Sequence, residues 1–266
     1  MPEAAGTALL ELESVTKSFG KVVVADKLSF AVGAGDIVGM VGPNGAGKTS
    51  LFGLISGDLP PSSGEIRFGG ATVTGLDAPA RCRLGIGRTF QVPRPFGAMT
   101  VFENVLVAVQ QGAGLRRRAS YAAAAAVLDR TGLGAQANIP AERLGLLARK
   151  RLELARALAS GPRLLLLDEV AGGLTDPEVA QLVAIVASIQ ADGVAVIWIE
   201  HVVRALTPVV DRLVCLAGGS FIGDGRPAEV LALPVVREVF LGTEVTTSLA
   251  GPAGPSQAGT GPEAGP

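Results

Sequence analysis

The order of apolar and polar positions along the chain predicts alternating strands and helices. Alternating or continuous apolar stretches are typical of strands, and they cover residues 8–19, 21–32, 36–41, 64–75, 163–168, 194–200 and a hairpin-like pair within 212–223. Helical spacing predicts helices over 48–56, 100–111, 119–132, 176–191, the second half of 144–158, and two short pieces ending near Leu241. This order indicates an α/β fold with a largely parallel sheet.

Two segments depart from this alternation. The segment from about 93 to 160 contains no convincing strand, so we expect an all-helical unit inserted into the α/β fold. The last residues, 244–266, are rich in Gly, Pro, Ala and Ser. That composition predicts a disordered tail.

Composition narrows the class of protein. The chain has 266 residues, 48% of them apolar, so one large domain or two small ones can form a sizeable core. A net charge of −1 argues against a dedicated nucleic-acid binder, which usually carries a basic excess. The two cysteines are far apart, which fits a reducing cytosol. We expect no signal peptide, and no apolar run approaches the ~18–20 residues that span a bilayer.

The clearest candidate site is GPNGAGKT at 42–49, which matches the phosphate-loop pattern GxxxxGK[ST]. It follows a predicted strand and opens a predicted helix, so its backbone N–H groups and the helix N-terminus would face phosphate oxygens. Lys48 would neutralise the β- and γ-phosphates, and the Thr49 hydroxyl would bind Mg²⁺. A glycine-rich turn that fits by chance is the alternative. The candidate nucleotide contacts are Gly42, Pro43, Asn44, Gly45, Ala46, Gly47, Lys48, Thr49 and Ser50.

Two acidic residues end a later apolar strand, in RLLLLDE at 163–169. Asp168 would hold Mg²⁺ directly or through water. Glu169 would orient or deprotonate an attacking water. The alternative is a buried strand that ends in solvated carboxylates, and the phosphate loop favours the functional interpretation.

His201, the only histidine, follows the apolar strand predicted at 194–200. Strand ends line the ligand crevice of parallel α/β sheets, so its imidazole could hydrogen-bond the γ-phosphate. A histidine that caps the next helix is the alternative.

Together these motifs resemble those of the ATP-binding subunit of ABC transporters, over roughly residues 8–243. The matching elements share the order and spacing of that family, and they are Gly42–Thr49, Gln91 in RTFQ, the strand 164–169, GGLTD at 172–176 and His201. The resemblance implies an ABC-type P-loop NTPase fold, with a mostly parallel core sheet, an N-terminal antiparallel β subdomain and a helical subdomain at about 93–160. It also implies ATP and Mg²⁺ as substrate and cofactor.

The resemblance assigns roles to two further residues. Phe19 matches the aromatic that stacks on adenine, although an apolar core residue is the alternative. Gln91 matches the glutamine that links the nucleotide site to the membrane domain and approaches Mg²⁺ and water. The candidate catalytic residues are therefore Glu169, His201 and Gln91, and the candidate metal ligands are Thr49, Gln91 and Asp168.

A finer resemblance is to the ATPases of branched-chain (hydrophobic) amino acid importers, in particular their G-type subunit. It rests on RTFQ at 88–91, MTVFEN at 99–104, KRLELARA at 150–157 and EHV at 200–202. It implies a second ATPase subunit as heterodimer partner, transmembrane permease subunits and, indirectly, a solute-binding protein, without nucleic acid. The expected location is peripheral, on the cytoplasmic face of the inner or plasma membrane.

One motif departs from the family, in which each ATP lies between one subunit's phosphate loop and the other's signature, usually LSGGQ. The corresponding segment here is LGLLA at 144–148. Gly145 replaces a serine hydroxyl that donates to the γ-phosphate, Leu147 replaces a glycine and Ala148 replaces the glutamine. A helix N-terminus remains, which keeps Gly145 as a candidate nucleotide contact. Nearby positive charge is expected from Arg149, Lys150 and Arg151.

A lost hydrogen bond to a charged phosphate costs ~1.5–3 kcal/mol, a factor of ~10–100. We therefore expect an asymmetric pair, in which this chain's catalytic residues meet a normal signature on a different partner. The alternatives are that the family tolerates such segments, that the chain is a regulatory subunit with weak hydrolysis, or that it is a soluble non-transport ABC ATPase. Urea, short amides or other small molecules are alternative solutes.

Overall fold

The computed structural model describes residues 8–116, 118–201 and 203–239, and it contains two sheets. A four-stranded antiparallel sheet has the order β2-β1-β4-β5 and consists of β1 (Leu10–Phe19), β2 (Val22–Val32), β4 (Ser63–Phe68) and β5 (Ala71–Thr72). A six-stranded sheet has the order β10-β9-β3-β8-β7-β6 and consists of β3 (Ile37–Val41), β6 (Ile86–Arg88), β7 (Leu164–Asp168), β8 (Ala195–Ile199), β9 (Arg212–Ala217) and β10 (Ser220–Gly225). Its neighbours are parallel except for β9 with β10.

Helices connect these strands. They are α1 (Lys48–Ser56), α2 (Ala78–Leu84), α3 (Val101–Gln111), α4 (Arg118–Arg130), α5 (Leu146–Ala159), α6 (Asp176–Ala191), α7 (Val203–Leu206) and α8 (Pro227–Ala232), and residues 234–239 are also helical. The described residues between β6 and β7 form helices and turns but no strand. The predicted fold class, with a mostly parallel sheet, an antiparallel sheet and a helical stretch, is confirmed.

The central strands position the candidate chemistry. Every residue of β3, β7 and β8 is buried, as expected for parallel strands covered on both faces. Met40 and Asp168 both pair with Ile199, so the three carboxyl ends lie side by side. The glycine-rich loop, the two acids and His201 follow these ends and are therefore brought to one edge of the sheet.

The helices of the 93–160 stretch form a hydrophobic cluster of their own. Val105 of α3, Leu128 of α4 and Leu152 of α5 are fully buried in it. Helix α3 begins with a capping box, in which Thr100 and Glu103 satisfy each other's backbone N–H groups.

Three of the helices and strands were not predicted from the sequence, namely α2, β6 and the four-residue α7. The predicted tail at 244–266 lies outside the described residues, so that prediction stands as made. No helix in the described ranges has the length and apolar character needed to cross a membrane.

Candidate functional site

The glycine-rich loop at 42–47 joins β3 to α1 and packs closely against neighbouring backbone. A Cβ on Gly42 would lie 2.1 Å from the Leu216 carbonyl oxygen, and one on Gly47 would lie 2.2 Å from the Val24 carbonyl oxygen. Gly47 also has a φ of 103°, which L-residues with a side chain rarely adopt. These glycines let the loop lie directly on β9 and β2.

We expect Gly47→Ala to destabilise the protein by about 2–4 kcal/mol, because it combines a steric clash with an unfavourable φ. Gly45→Ala is the matched control, since Gly45 also has a positive φ, of 79°, but a Cβ there would meet nothing within 4 Å. Its expected cost is roughly 1–2 kcal/mol. Urea unfolding of both variants measures the difference. Equal losses would contradict close packing of the loop.

The Lys48 side chain folds back over this loop. Its Nζ donates to the Gly42 and Pro43 carbonyl oxygens at 2.7 and 2.9 Å, and the residue is only 5% exposed. Burial lowers the pKa of Lys48, and the nearby carboxylates of Glu169 and Asp168 oppose that shift. The ammonium is thus placed where the loop would bind phosphate.

Asp168 lies at the end of β7 and is 1% exposed. Its Oδ2 accepts a hydrogen bond from Arg88 at 3.4 Å, whereas its buried Oδ1 has no hydrogen-bond partner among the described residues. Burial raises the pKa of Asp168, and the Arg88 guanidinium opposes this. A buried carboxylate oxygen that accepts no hydrogen bond is suited to coordinate a cation. Mg²⁺ is commonly bound by one or two carboxylates together with substrate phosphates.

Glu169 brings the three candidate catalytic residues together. Its Oε1 accepts from His201 Nε2 at 2.5 Å, and its Oε2 accepts from Gln91 Nε2 at 2.6 Å. The residue has a φ of 48°, in the left-handed region, which turns the chain sharply at the end of β7. Such strained non-glycine residues concentrate at functional sites.

A cleft of about 320 Å³ lies over this group and the loop. Its lining residues include most of the sequence-predicted contacts, and they are Val24, Asn44, Gly45, Ala46, Gly47, Lys48, Thr49, Ser50, Gln91, Glu169 and His201. Val24 was not predicted, because an apolar residue in an alternating strand carries no chemical signal. Gly42, Pro43 and Asp168 lie outside this lining.

Phe19 and Gly145 are also outside the cleft lining. Phe19 is 50% exposed at the end of β1, and Lys17 Nζ lies 5.1 Å from its ring centroid. The alternative of a core phenylalanine is therefore wrong, and adenine stacking stays a prediction.

The segment 144–148 begins helix α5, with Gly145 as an N-cap that provides no side-chain hydrogen bond. A Cβ on Gly145 would meet nothing within 4 Å, so a serine would fit there. Leu146 is 48% exposed and Leu147 is partly buried. By its position in the segment, Leu146 also replaces a glycine of the family's LSGGQ, and its exposure places this leucine at the surface.

Two basic residues of the site were missed or misplaced by sequence reasoning. Arg88 donates to Asp58 at 2.8 Å as well as to Asp168, and so connects β6 to the buried carboxylate. The expectation that Lys150 adds charge near the 144–148 surface is wrong, because Lys150 is buried and donates to the Glu169 and Gln91 carbonyl oxygens. The sequence carries no signal for either role, because the contacts join segments that are 80 and 59 positions apart.

Known proteins of determined structure share this fold. The architecture is that of a P-loop NTPase, and an ADP-bound ATP-binding cassette of an ABC transporter superposes with a TM-score of 0.82, at 27% identity, covering 89% of this chain and all of that one. A nucleotide-free cassette gives 0.80 at 27% identity, covering 88% and 99% of the two chains. A model of the ABC transporter family matches residues 25–172. The chain belongs to the ABC transporter family and contains its ATP-binding domain.

Several curated relatives are ATP-binding proteins of transport systems. The high-affinity branched-chain amino acid transport ATP-binding protein BraF of Pseudomonas aeruginosa is 35% identical over 249 residues, covering 88% of this chain and 98% of BraF. LivG of Escherichia coli K12, with the same description, is 32% identical over 249 residues, with the same coverage. The lipopolysaccharide export ATP-binding protein LptB of Acidithiobacillus ferridurans is 34% identical over 236 residues, covering 89% and 98%. The resemblance to branched-chain transport ATPases is confirmed, while the export relative leaves the solute to a proposal.

Proposed function

We propose that this chain hydrolyses ATP to energise an ABC importer of branched-chain or related small amino acids. The observation that carries the ATPase part is the contact of Glu169 with both Gln91 and His201 beside the Lys48 loop. Nucleophile activation, phosphate binding and a γ-phosphate contact would then share one cleft.

Each residue has a chemical task in this proposal. The loop N–H groups and Lys48 bind the β- and γ-phosphates and neutralise their charge. Glu169 takes a proton from the attacking water, whose oxygen bonds to the γ-phosphorus as the bond to the β-phosphate bridging oxygen breaks. His201 and Gln91 would exchange their contacts with Glu169 for the γ-phosphate and the water.

Mg²⁺ fits the residues present. Asp168, through its unpartnered Oδ1, Thr49 and Gln91 would hold the ion together with phosphate oxygens. When bound, Mg²⁺ neutralises charge that develops on the β- and γ-phosphate oxygens. Arg88 keeps the Asp168 carboxylate in place from the other side.

The import part of the proposal rests on the relatives. BraF and LivG are described as branched-chain amino acid transport ATP-binding proteins, and this chain matches 98% of the length of each. We therefore propose a peripheral subunit on the cytoplasmic face of the membrane, with a second ATPase and permease subunits as partners and a solute-binding protein acting indirectly.

A groove of about 410 Å³ supports permease docking. It is lined by residues of α2, β6, α3 and α5, and it contains two exposed aromatics, Phe90 and Phe96, which are 39% and 48% exposed. Phe90 precedes and Phe96 follows Gln91, which the family resemblance links to the membrane domain. Asn104 fixes this segment by accepting from the Phe96 N–H at 2.8 Å and donating to its carbonyl at 3.1 Å.

The 144–148 segment favours a pair of unequal sites. An exposed leucine and a glycine occupy the surface where the family presents a serine and glycines to the partner's ATP. This chain would supply one competent half-site and one poor one. The same observation favours a second candidate, a regulatory subunit with weak hydrolysis.

Uptake of labelled leucine tests the proposed solute. A strain lacking this chain should lose most high-affinity leucine uptake and regain it with the wild-type chain. The Glu169→Gln variant, expressed to the same level, should not restore it. Unchanged leucine uptake, with loss of urea or amide uptake instead, would contradict the solute and leave the ATPase proposal intact.

A further inference from the structure

Lys150 lies in the first turns of α5, directly behind the proposed catalytic group. Its Nζ donates to the Glu169 carbonyl oxygen at 2.9 Å and to the Gln91 carbonyl oxygen at 3.3 Å. These are the two residues whose side chains meet at 2.6 Å on the cleft side. One ammonium thus connects the backbones of two residues from segments far apart in the sequence.

The environment of Lys150 is unusual for a lysine. The residue is 5% exposed, and in the described part of the chain it forms no ion pair. Burial lowers the pKa of Lys150, and the nearby carboxylates of Glu200, Glu169 and Asp168 oppose the shift. Burial of an ammonium group is unfavourable unless it donates hydrogen bonds. The hydrogen bonds to two carbonyl oxygens offset this cost, and a buried lysine at this position adds nothing to the solubility of the surface.

Glu169 needs such support because its backbone is strained. Its φ of 48° places it in the left-handed region, which is unfavourable for a non-glycine residue and persists only where the surrounding structure holds it. Its N–H donates to the Ile199 carbonyl at 2.9 Å, and its carbonyl accepts from Lys150 and, at 3.3 Å, from the Gly172 N–H. Lys150 supplies the only side-chain donor to that carbonyl among the described contacts.

We propose that Lys150 is a positioning residue for ATP hydrolysis, which holds the Glu169 and Gln91 backbones so that carboxylate and amide face the same point of the cleft. This role rests on the proposed ATPase function. Lys150 itself would touch neither ATP nor water, and it would act on the chemical step through Glu169.

The chain carries a natural reporter for this arrangement, its single tryptophan. Trp198 is fully buried, and its indole N–H donates to Glu200 Oε1 at 2.9 Å, which also accepts from the Ala171 N–H at 2.7 Å. Glu200 lies within the electrostatic reach of Lys150. Removal of the ammonium should therefore change Trp198 emission.

The test compares Lys150→Met, Lys150→Arg and, as a charge-matched control, Arg118→Met on the exposed face of α4. Single-turnover hydrolysis, with the full-length chain and its companion ATPase in excess over radiolabelled ATP, measures the chemical step at the competent site. We expect Lys150→Met to slow it by about 10–100-fold, as for a lost charged hydrogen bond that positions a catalytic group. ATP affinity should stay near wild type, Trp198 emission should shift, and Lys150→Arg should restore most of the rate.

Three outcomes would overturn the proposal. They are a wild-type rate in Lys150→Met, an equally slow Lys150→Arg with a wild-type melting temperature, or a parallel loss of rate, ATP affinity and melting temperature that indicates only a structural role. The proposed function itself would be contradicted by a different result. In that case the wild-type chain would bind ATP but would not hydrolyse it, either alone or with a companion ATPase.

Discussion

Glu169→Gln is expected to lower the rate of ATP hydrolysis by about 10²–10⁴-fold, the usual contribution of a general base. ATP affinity should stay near the wild-type value, because the Lys48 loop does not depend on the Glu169 charge for its conformation. An amide of the same shape cannot take a proton from water. It also keeps only one acceptor, so one of the contacts with Gln91 and His201 must rearrange.

The control for this variant is Glu238→Gln, which removes the same charge from an exposed position near the end of the described chain. Hydrolysis and equilibrium ATP binding are measured on both variants with the same companion subunit. A Glu169→Gln rate within a few-fold of wild type would mean that another group accepts the proton.

Repair of the 144–148 segment is expected to increase hydrolysis by the chain alone. The variant Gly145→Ser, Leu146→Gly, Leu147→Gly should be ~10–100-fold faster than wild type, because it restores a hydroxyl donor to the phosphate and removes apolar bulk. The change is sterically feasible, since a Cβ at Gly145 meets open space and Leu146 is 48% exposed.

Two controls separate this gain from other effects. Adding Glu169→Gln to the repaired chain should abolish the increase, because the added turnover must pass through that carboxylate. Thermal melting should reveal a moderate loss of stability from two glycines in the first turn of α5. A repaired chain that remains stable yet no faster than wild type would contradict a functional defect in the segment.

The elements predicted from the sequence are those with a continuous apolar stretch or a specific motif. Strands β3, β7 and β8 were predicted because they are short, continuous apolar stretches, of which β7 ends in Asp168. The loop at 42–49 was predicted because its pattern is nearly specific to phosphate binding. Strand β6 was missed because it has three residues, among them Gly87 and Arg88, and offers no periodic pattern. Helix α2 has only seven residues, too few for a reliable apolar period.

The supporting contacts of the site were beyond sequence reasoning, because they join distant segments. Arg88 and Asp168 are 80 positions apart, and Lys150 and Gln91 are 59 apart. Lys150 has the spacing of a solvated helix residue next to Arg149 and Arg151, and only the packing of α5 against β7 makes it a buried donor. Candidate reactive groups were therefore predictable, and the residues that orient them were not.

The most direct test of the account is the rate of ATP hydrolysis by the purified chain alone, compared with the rate after addition of its companion ATPase. We predict slow turnover alone and an increase of at least ~10-fold in the mixture, because this chain's loop, Asp168 and Glu169 would then meet an intact signature segment. The increase should disappear when this chain carries Glu169→Gln. Fast turnover by the chain alone, unchanged by the companion, would contradict the pairing of one competent half-site with one poor one.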